Sequence, residues 1–228
     1  MRFSKNIGGK VSEEVDIAPT PDNVERFPRR SARRAKTRAR ILEAASTEFK
    51  KAGYAEATMN AIAEVADIHV TTLFTHFKTK RDLAAALSDQ EIDQFRELVD
   101  TAKGKVPFFK FFRDLVLTTA ATRQEDGDPK TGQMHEMQRD PELALSWLRY
   151  EENEVRLVAE YIAHDYGLDA RADYAPYLAG QILIASGVAS YARWVRTKGI
   201  DLVKETETAL DLAERMARSI LPAEPVNR

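Results

Sequence analysis

A run of twelve residues, HVTTLFTHFKTK from His69 to Lys80, concentrates threonine, histidine and lysine in one short segment. Short hydroxyl side chains allow a helix backbone to approach a partner closely and can donate hydrogen bonds, while lysine adds positive charge. These groups suit a partner that carries phosphates and hydrogen-bonding edges. Leu73 and Phe77 are one helical turn apart, so the same segment is predicted to bury its other side in a core.

The distribution of charge supports a polyanionic partner for one part of the chain. The 228 residues carry a net charge of −2, but residues 26–80 hold 12 Lys and Arg against 5 Asp and Glu, whereas residues 81–228 hold 19 against 26. The segment RRSARRAKTRAR, Arg29 to Arg40, is the most basic stretch and includes Arg38. It is interpreted as an arm for DNA phosphates or the minor groove, with a solvated helix start as the alternative.

Composition excludes several other classes of protein. The chain has no Cys, which leaves no disulfide framework or thiolate metal site. It has no apolar run near the roughly 18 residues of a membrane helix and no apolar stretch of a secretory signal, so a cytoplasmic protein without membrane contact is expected. Its four His have no i,i+4 partner, and nucleophile-elbow, phosphate-loop and dinucleotide motifs are missing. We therefore expect that the protein is not an enzyme and binds neither a metal ion nor a cofactor.

The elements that position the polar segment are predicted to be helices throughout, which makes the fold all-α. After a polar leader, residues 1–30, a helix begins near Ala32 and ends at Gly53. Thr58 is the expected N-cap of a second helix, MNAIAEVA, and the short break DIH separates it from a third, VTTLFTHF. Two short helices joined by a tight turn predict a helix-turn-helix domain over residues 31–79.

Residues 80–222 are predicted to form a second, helical domain, followed by a tail at 223–228. Its helices are expected at about 80–103, from Pro107 to Arg123, at 133–138, from Pro141 to Gly167, at 172–199 and at 201–220.

The segment from Thr37 to Leu83 resembles the DNA-binding domain of the TetR family of transcriptional repressors. The resemblance covers about a fifth of the chain and rests on Ile41, Ala45, Phe49, Gly53, Thr58, Ile62, Ala63, Ala66, Thr72, Leu73, His76, Phe77, Lys80 and Leu83. It implies a ligand-responsive regulator, most often a repressor, that binds a palindromic DNA operator as a homodimer and is released by a small-molecule effector.

By this resemblance, positions in and around the third helix contact DNA. The backbone contacts are expected at Thr58, Thr72, Phe74, His76 and Lys80, and His69, Val70, Thr71 and Thr75 are expected near bases. Three positions depart from the family pattern: Phe74 replaces the usual Tyr, Asp67 replaces the usual Gly of the turn, and His69-Val70 is an unusual start of the helix.

The second domain is expected to hold the effector and the dimer interface. Dimerisation is assigned to the last two helices, with an ordinary bundle within the chain as the alternative. The residues assigned to it are the small residues Gly180, Ala185, Gly187 and Ala189, together with Leu202, Leu210, Ala213 and Met216. An apolar or aromatic effector is expected among the central helices, with plain core packing as the alternative for each candidate. The candidates are Phe108, Phe112, Met134, Met137, Trp147, Tyr150, Tyr177, Gln181 and Trp194.

Two other functions remain open from the sequence. The Arg-rich arm could serve a membrane surface or a protein partner, in which case binding would survive loss of the third helix. An activator could use the same dimer as a repressor.

Arg149 and Arg156 could pair with an acidic ligand, but RYEENEVR places Glu nearby on the same helix, so intrahelical ion pairs are preferred.

Overall fold

The computed structural model describes residues 28–127 and 141–226, apart from the side chains of Pro28, Pro141 and Glu142, and every element within those ranges is a helix. The predicted all-α class is therefore confirmed. The predicted helix at 133–138, with Met134 and Met137, lies outside the described residues. The helices are α1 Pro28–Ala52, α2 Met59–Val65, α3 Val70–His76, α4 Lys80–Ala102, α5 Phe108–Glu125, α6 Pro141–Tyr166, α7 Tyr174–Arg196 and α8 Leu202–Ser219.

The chain divides into two compact units, Met1–Ala39 and Arg40–Arg228. In the first unit, α1 begins at Pro28, so the end of the expected leader is already helical and the predicted start near Ala32 was too late. Proline is favoured in the first turn of a helix because its missing N–H has no intrahelical partner there. Arg33, Arg34 and Arg38 are exposed on this basic part of α1.

In the second unit, residues 40–79 form a head around a small core. The predicted pair on α3, Leu73 and Phe77, is buried, with 0% and 3% of the surface exposed. Apolar residues of α1, α2 and α4 complete this core, since the helical spacing places one residue per turn on the inner face. The core residues are Ile41, Leu42, Ala44, Ala45, Ile62, Ala63, Ala66, Leu73, Phe77, Leu83 and Ala86.

Helices α4 to α8 form a bundle, and local signals fix their ends. Thr79 and Asp82 make a reciprocal capping box, in which the Asp82 N–H donates to the Thr79 hydroxyl at 3.1 Å and the Thr79 N–H donates to the Asp82 carboxylate at 2.9 Å. This pair starts α4 at the predicted residue, Lys80. At the other end of the bundle, α6 stops one residue before Gly167, whose φ of +64° a side chain would oppose.

An aromatic cluster occupies the centre of the bundle. Phe108 stacks on Phe112 with ring centroids 5.6 Å apart and meets Tyr161 edge-on at 5.4 Å. The buried Asp165 carboxylate accepts a hydrogen bond from the Phe108 N–H at 2.7 Å and so satisfies the first turn of α5. The start of α5 is thereby held against the end of α6.

Several residues assigned to the dimer interface instead pack within the chain, so that part of the prediction was wrong. A Cβ on Gly180 would lie 3.2 Å from the Val155 carbonyl oxygen, which shows that α7 crosses α6 closely at this glycine. Leu202, Leu210 and Ala213 are each at most 4% exposed in the chain's own core. Both α7 and α8 carry small and apolar residues on two faces, and sequence spacing alone did not distinguish them.

Candidate nucleic-acid interface and ligand cavity

The turn between α2 and α3 is closed by a Schellman motif. The Ile68 N–H donates to the Ala63 carbonyl at 3.0 Å, and the Asp67 N–H donates to the Glu64 carbonyl at 3.0 Å. Asp67 takes the left-handed conformation that this motif requires, with φ of 50°. Glycine adopts that conformation without cost, whereas an ordinary side chain raises its energy by about 1 kcal/mol. The Arg40 guanidinium donates to the Asp67 carbonyl at 2.8 Å and fixes the turn from α1.

His69 caps the N-terminus of α3. Its Nδ1 accepts a hydrogen bond from the Thr71 N–H at 3.3 Å and lies 2.8 Å from the Thr71 hydroxyl. A neutral imidazole that accepts at Nδ1 carries its proton at Nε2, so the exposed edge of the ring is a hydrogen-bond donor. The unusual residue at this position therefore has a structural role that the sequence did not reveal, and it presents a donor beside the helix.

The outer side of α3 is a compact surface of small polar and aromatic groups. Thr71, Phe74 and Thr75 are exposed, with 41% of Phe74 accessible, whereas Val70, Thr72 and His76 are partly buried. The Thr75 hydroxyl donates to the Thr72 carbonyl at 2.6 Å, which leaves its oxygen lone pairs and methyl group at the surface. Thr58, also exposed, caps α2 by accepting from the Ala61 N–H at 3.1 Å. This surface provides donors, acceptors and methyl groups on a helix, and the major groove of DNA admits an α-helix.

Lys80 is anchored to the loop that follows α1. Its ammonium donates to the carbonyls of Tyr54, Ala55 and Ala57 at 2.5, 2.9 and 3.0 Å and lies 4.5 Å from the centre of the Tyr54 ring. These three bonds use all three ammonium protons. The phosphate contact expected of Lys80 stays a prediction, but the structure gives the side chain an architectural role inside the head.

A cavity of about 810 Å³ lies in the bundle, within the size range of small-molecule sites. Four of the candidates predicted from the sequence line it: Phe112, Trp147, Tyr150 and Trp194. Its other walls come from α4, α5 and the residue that follows it, α6, α7, the start of α8 and the last turn of α1. They include Lys50, Ser88, Glu91, Gln94, Phe95, Leu98, Leu115, Val116, Thr119, Ala120, Arg123, Asp126, Glu154, Leu183, Ile184, Gly187, Val188, Ser190, Tyr191, Leu202 and Thr206.

The remaining ligand candidates have other surroundings. Phe108 is 1% exposed and belongs to the aromatic core next to Phe112. Gln181 donates to the Tyr177 hydroxyl at 3.2 Å, and Tyr177 is 41% exposed on the outside of α7. Met134 and Met137 lie outside the described residues. Ligand contacts of these residues stay predictions, and the cavity itself favours the four that line it.

Two glutamates bring negative charge to the cavity, and sequence reasoning missed both. The Glu154 carboxylate accepts a hydrogen bond from the Tyr150 hydroxyl at 2.9 Å, and its burial raises the pKa of Glu154 to about 7. Glu91 keeps an exposed surface, but desolvation at the cavity wall raises its pKa, against the lowering effect of Arg123 and Lys50. The spacing of Trp147, Tyr150 and Glu154 along one face of α6 could have identified Glu154.

The preferred ion pairing of the α6 arginines is confirmed for Arg156, which lies 2.8 Å from Glu152 on the solvent side of the helix. This pair is one turn apart and exposed, so it contributes little to stability. It keeps Arg156 away from the cavity.

Trp147 and Lys50 belong to both the cavity and the surroundings of the head. Trp147 packs against the cluster of Tyr54, Ala84 and Leu143, to which Phe49 also contributes. The Phe49 and Tyr54 rings lie 5.3 Å apart, and the Tyr54 carbonyl is one of the Lys80 acceptors. A continuous set of packed side chains thus runs from the cavity wall to the base of the head.

Two kinds of feature are absent from the described residues. Within residues 28–127 and 141–226, no group of three or more His, Cys, Asp or Glu could hold a metal ion. Over the same ranges, no helix is long and apolar enough to cross a membrane.

Two family models match the chain over separate ranges. The model described as "Bacterial regulatory proteins, tetR family" matches residues 41–87, which include α2, α3 and the start of α4. The model described as "MftR C-terminal domain" matches residues 106–217 and covers most of the bundle.

Known proteins resemble the chain over most of its length. The HTH-type transcriptional regulator TcmR of Streptomyces glaucescens is 25% identical over 209 residues, which cover 88% of this chain and 92% of the relative. Among solved structures, a TetR-family regulator from Rhodococcus sp. matches with a TM-score of 0.62 at 20% identity, over 79% of this chain and 98% of that one. FadR of Bacillus subtilis, solved with stearoyl-CoA, matches with a TM-score of 0.58 at 20% identity, over 77% and 96%.

The sequence pattern of the head, the helix-turn-helix geometry of α2 and α3, and these matches over both parts of the chain agree. The chain belongs to the TetR family of bacterial transcriptional regulators and carries a DNA-binding helix-turn-helix domain.

Proposed function

We propose that the protein is a repressor that binds a palindromic DNA operator as a homodimer and is released by a small-molecule effector. Two features of one compact unit support this proposal: the exposed surface of α3 and a cavity of about 810 Å³. Packed side chains connect the cavity wall to the base of the head that carries α3. The first feature suits operator binding, and the second suits control by a ligand.

In this proposal α3 enters the major groove. Thr71 and Thr75 face base edges, where their hydroxyls exchange hydrogen bonds and their methyl groups meet thymine methyls. Phe74 takes the place of a hydroxyl-bearing residue and contributes apolar contact with the sugar–phosphate backbone. His69, Val70, Thr72 and His76 line the two ends of the same surface, and Thr58 donates to phosphate from the start of α2.

The basic part of α1 adds affinity without sequence preference. Residues 28–40 carry seven Lys and Arg, among them Arg38, and no Asp or Glu. Each phosphate that such a cation neutralises releases a counter-ion, so binding through this segment depends strongly on salt. Selectivity for the operator then comes from α3, and the salt dependence comes largely from α1.

The dimer interface is assigned to the outer faces of α7 and α8. Leu212 and Met216 of α8 and its C-cap residue Ile220 are 54%, 49% and 37% exposed and follow one another at every fourth position. On α7, Leu178 is 49% exposed, and the exposed Ala185 lies two turns further along. Apolar stripes of this kind are usually covered by a partner. A two-fold dimer would place two α3 helices about 34–36 Å apart, one turn of DNA.

Release by an effector is assigned to the packed connection at Trp147. A ligand can shift the protein between two states only by binding them unequally. A molecule that displaces Trp147 would disturb Phe49 and Tyr54, and with Tyr54 the Lys80 bonds that hold the base of the head. The state that binds the effector would then hold the two α3 helices at a spacing that does not match the operator.

Fluorescence anisotropy with the DNA that flanks the protein's own gene, scrambled DNA and a salt series tests this function. Thr75→Ala is expected to weaken operator binding by about 1–3 kcal/mol and to leave scrambled DNA unaffected, since it removes a base contact. Thr118→Ala is the matched control, because Thr118 is an exposed helix threonine whose hydroxyl also bonds a carbonyl of its own helix, at 2.7 Å.

The outcomes separate the rival functions. Sequence-selective binding that is weakened by Thr75→Ala and not by Thr118→Ala supports binding of an operator through α3. Binding that ignores both the DNA sequence and the α3 substitution would assign the interaction to the basic segment of α1. If unbiased selection from random DNA also enriched no sequence, the proposed function would be rejected. Transcription from the selected promoter with and without the protein then distinguishes a repressor from an activator.

A further inference from the structure

The cavity contains a carboxylate, that of Glu154, whose negative charge is not balanced by an ion pair. Glu154 receives one hydrogen bond, from the Tyr150 hydroxyl at 2.9 Å, and most of the lining around it is apolar or aromatic. Within the described residues no cation is in direct contact with the Glu154 carboxylate. Moving a carboxylate out of water without a paired charge is unfavourable, and such a group gains most from a cation that arrives with a ligand.

Neither cation of the cavity wall, Lys50 or Arg123, forms an ion pair with Glu154. The Arg123 guanidinium lies 5.3 Å from the centre of the Tyr191 ring and lowers the pKa of both Glu91 and Glu154 through space, whereas Lys50 lowers the pKa of Glu91. The charged side chains of the lining are three acids, Glu91, Asp126 and Glu154, and two bases. The lining thus carries one more acid than base, and its best-buried acid, Glu154, is influenced by Arg123 through space without forming an ion pair with it.

The aromatic walls add to the attraction for positive charge. The rings of Trp147 and Tyr150 stack at 5.6 Å with an interplanar angle of 22°, and Tyr191 and Trp194 lie 5.7 Å apart on α7. The faces of these rings carry negative partial charge and bind ammonium groups, while their area binds flat apolar bodies. One molecule can use both if it joins an amine to an aromatic body.

We propose that the effector is an organic cation, an aromatic or otherwise apolar molecule with a protonated amine that takes Glu154 and Glu91 as its counter-ions. The inference rests on the proposed function in that it assigns the effector of the same cavity. An amphipathic anion, which would use Arg123 and Lys50 instead, is the principal alternative outcome of the test.

Protonation of Glu154 should control the affinity. Burial raises its pKa to about 7, and a bound ammonium favours the ionised form, so the ligand must displace a proton at lower pH. Affinity is expected to rise as the pH increases through about 7 and then to level off. The titratable and charged groups around this site are Lys50 of α1, Glu91 of α4, Arg123 of α5, Tyr150 and Glu151 of α6, Tyr191 of α7, and Asp126.

The test uses the two tryptophans as probes, because both Trp residues of the chain line the cavity. The full-length protein is titrated with 9-(aminomethyl)anthracene, 9-anthracenemethanol and 9-anthracenecarboxylate, which share a ring system and differ in charge. Quenching of tryptophan emission should show the amine binding at least tenfold more tightly than the alcohol, and the carboxylate binding more weakly than either.

Substitutions assign that preference to the carboxylates. Glu154→Gln is expected to remove the tenfold advantage of the amine and to leave binding of the alcohol unchanged, and Glu91→Gln should reduce the advantage in part. Glu160→Gln, an exposed glutamate on the same helix, is the control and should retain it. Circular dichroism of each variant establishes that the helices are intact, and Glu91→Gln provides a second test if Glu154→Gln fails to fold.

The results separate this inference from the proposed function. Equal binding of the three probes, tighter binding of the carboxylate, or no quenching by any of them would overturn the organic-cation assignment, even if operator binding is normal. A preference for the amine in a protein that selects no DNA sequence would support the cavity chemistry and reject the proposed function. Release of operator DNA by the amine, and not by the carboxylate, is the expected result if both hold.

Discussion

Replacing Lys80 by methionine separates two roles that this residue could have in the head. Two of its three carbonyl bonds, to Tyr54 and Ala57, are partly shielded from water, and the third, to Ala55, is exposed. Losing a charge-assisted hydrogen bond and leaving a shielded carbonyl without its partner costs about 1–2 kcal/mol for each bond. The contact with the Tyr54 ring adds about 0.5–1 kcal/mol.

Lys80→Met is therefore expected to lower the free energy of unfolding by about 2–4 kcal/mol, a large part of the stability of an ordinary domain. Methionine keeps the apolar stem, so the loss reports on the ammonium. Urea denaturation followed by circular dichroism measures the change. Lys78→Met, at an exposed position two residues earlier, is the matched control and should change stability by less than about 0.5 kcal/mol.

The same variant distinguishes the architectural role of Lys80 from a role in phosphate contact alone. If Lys80 served only the DNA backbone, Lys80→Met would retain wild-type stability and reduce the slope of log K against log salt by about 0.9. A stability change below about 0.5 kcal/mol would refute the architectural role assigned here. A lower stability with an unchanged salt slope would assign Lys80 wholly to the fold.

Three more predictions address the turn, the dimer and the cavity. Asp67→Gly should raise the free energy of unfolding by about 0.5–1 kcal/mol because glycine adopts the left-handed φ freely, and Asp67→Ala should not; urea denaturation measures both. Met216→Glu should weaken dimerisation about 100-fold by placing a charge in an apolar contact, and Arg215→Glu should not, as measured by light scattering across a dilution series. Binding of 9-(aminomethyl)anthracene should weaken about tenfold from pH 8 to pH 6 in the wild type, but not in Glu154→Gln.

The positions of the helices were largely predictable because strong local signals mark their ends. Gly167 stops α6 as expected, and α5 begins at Phe108, one residue after the predicted start at Pro107, which is its N-cap. Thr58 forms the predicted N-cap of α2, and the buried pair on α3 follows from one-turn spacing. These features depend on residues close together in the sequence, and for that reason periodicity and capping preferences were sufficient.

The orientation of helix faces was less predictable because it depends on contacts between distant segments. Gly180 and Ala185 are both small residues of α7, yet Gly180 packs against α6 and Ala185 is exposed. In the sequence, Glu154 is not distinguished from the other charged residues of α6. Its place in the cavity becomes apparent only in the fold, where α4 and α5 lie opposite it. Lys80 similarly looked like a phosphate ligand, because the three carbonyls that it binds lie 23 to 26 residues earlier in the chain.

The structure concentrates the connection between cavity and head at Tyr54. Its ring packs with Phe49 and, through the same cluster, with Trp147 of the cavity wall, while its carbonyl and ring both hold the Lys80 ammonium. Lys80 is also the first residue of α4, and α4 carries Glu91 to the cavity wall. The base of the head is therefore joined to two groups of the cavity wall, Trp147 and Glu91. Under the proposed function, an effector that changes the position of Trp147 or neutralises Glu91 would act on the elements that set the orientation of α3. The free energy available for that action is limited by the difference in its affinity for the two orientations.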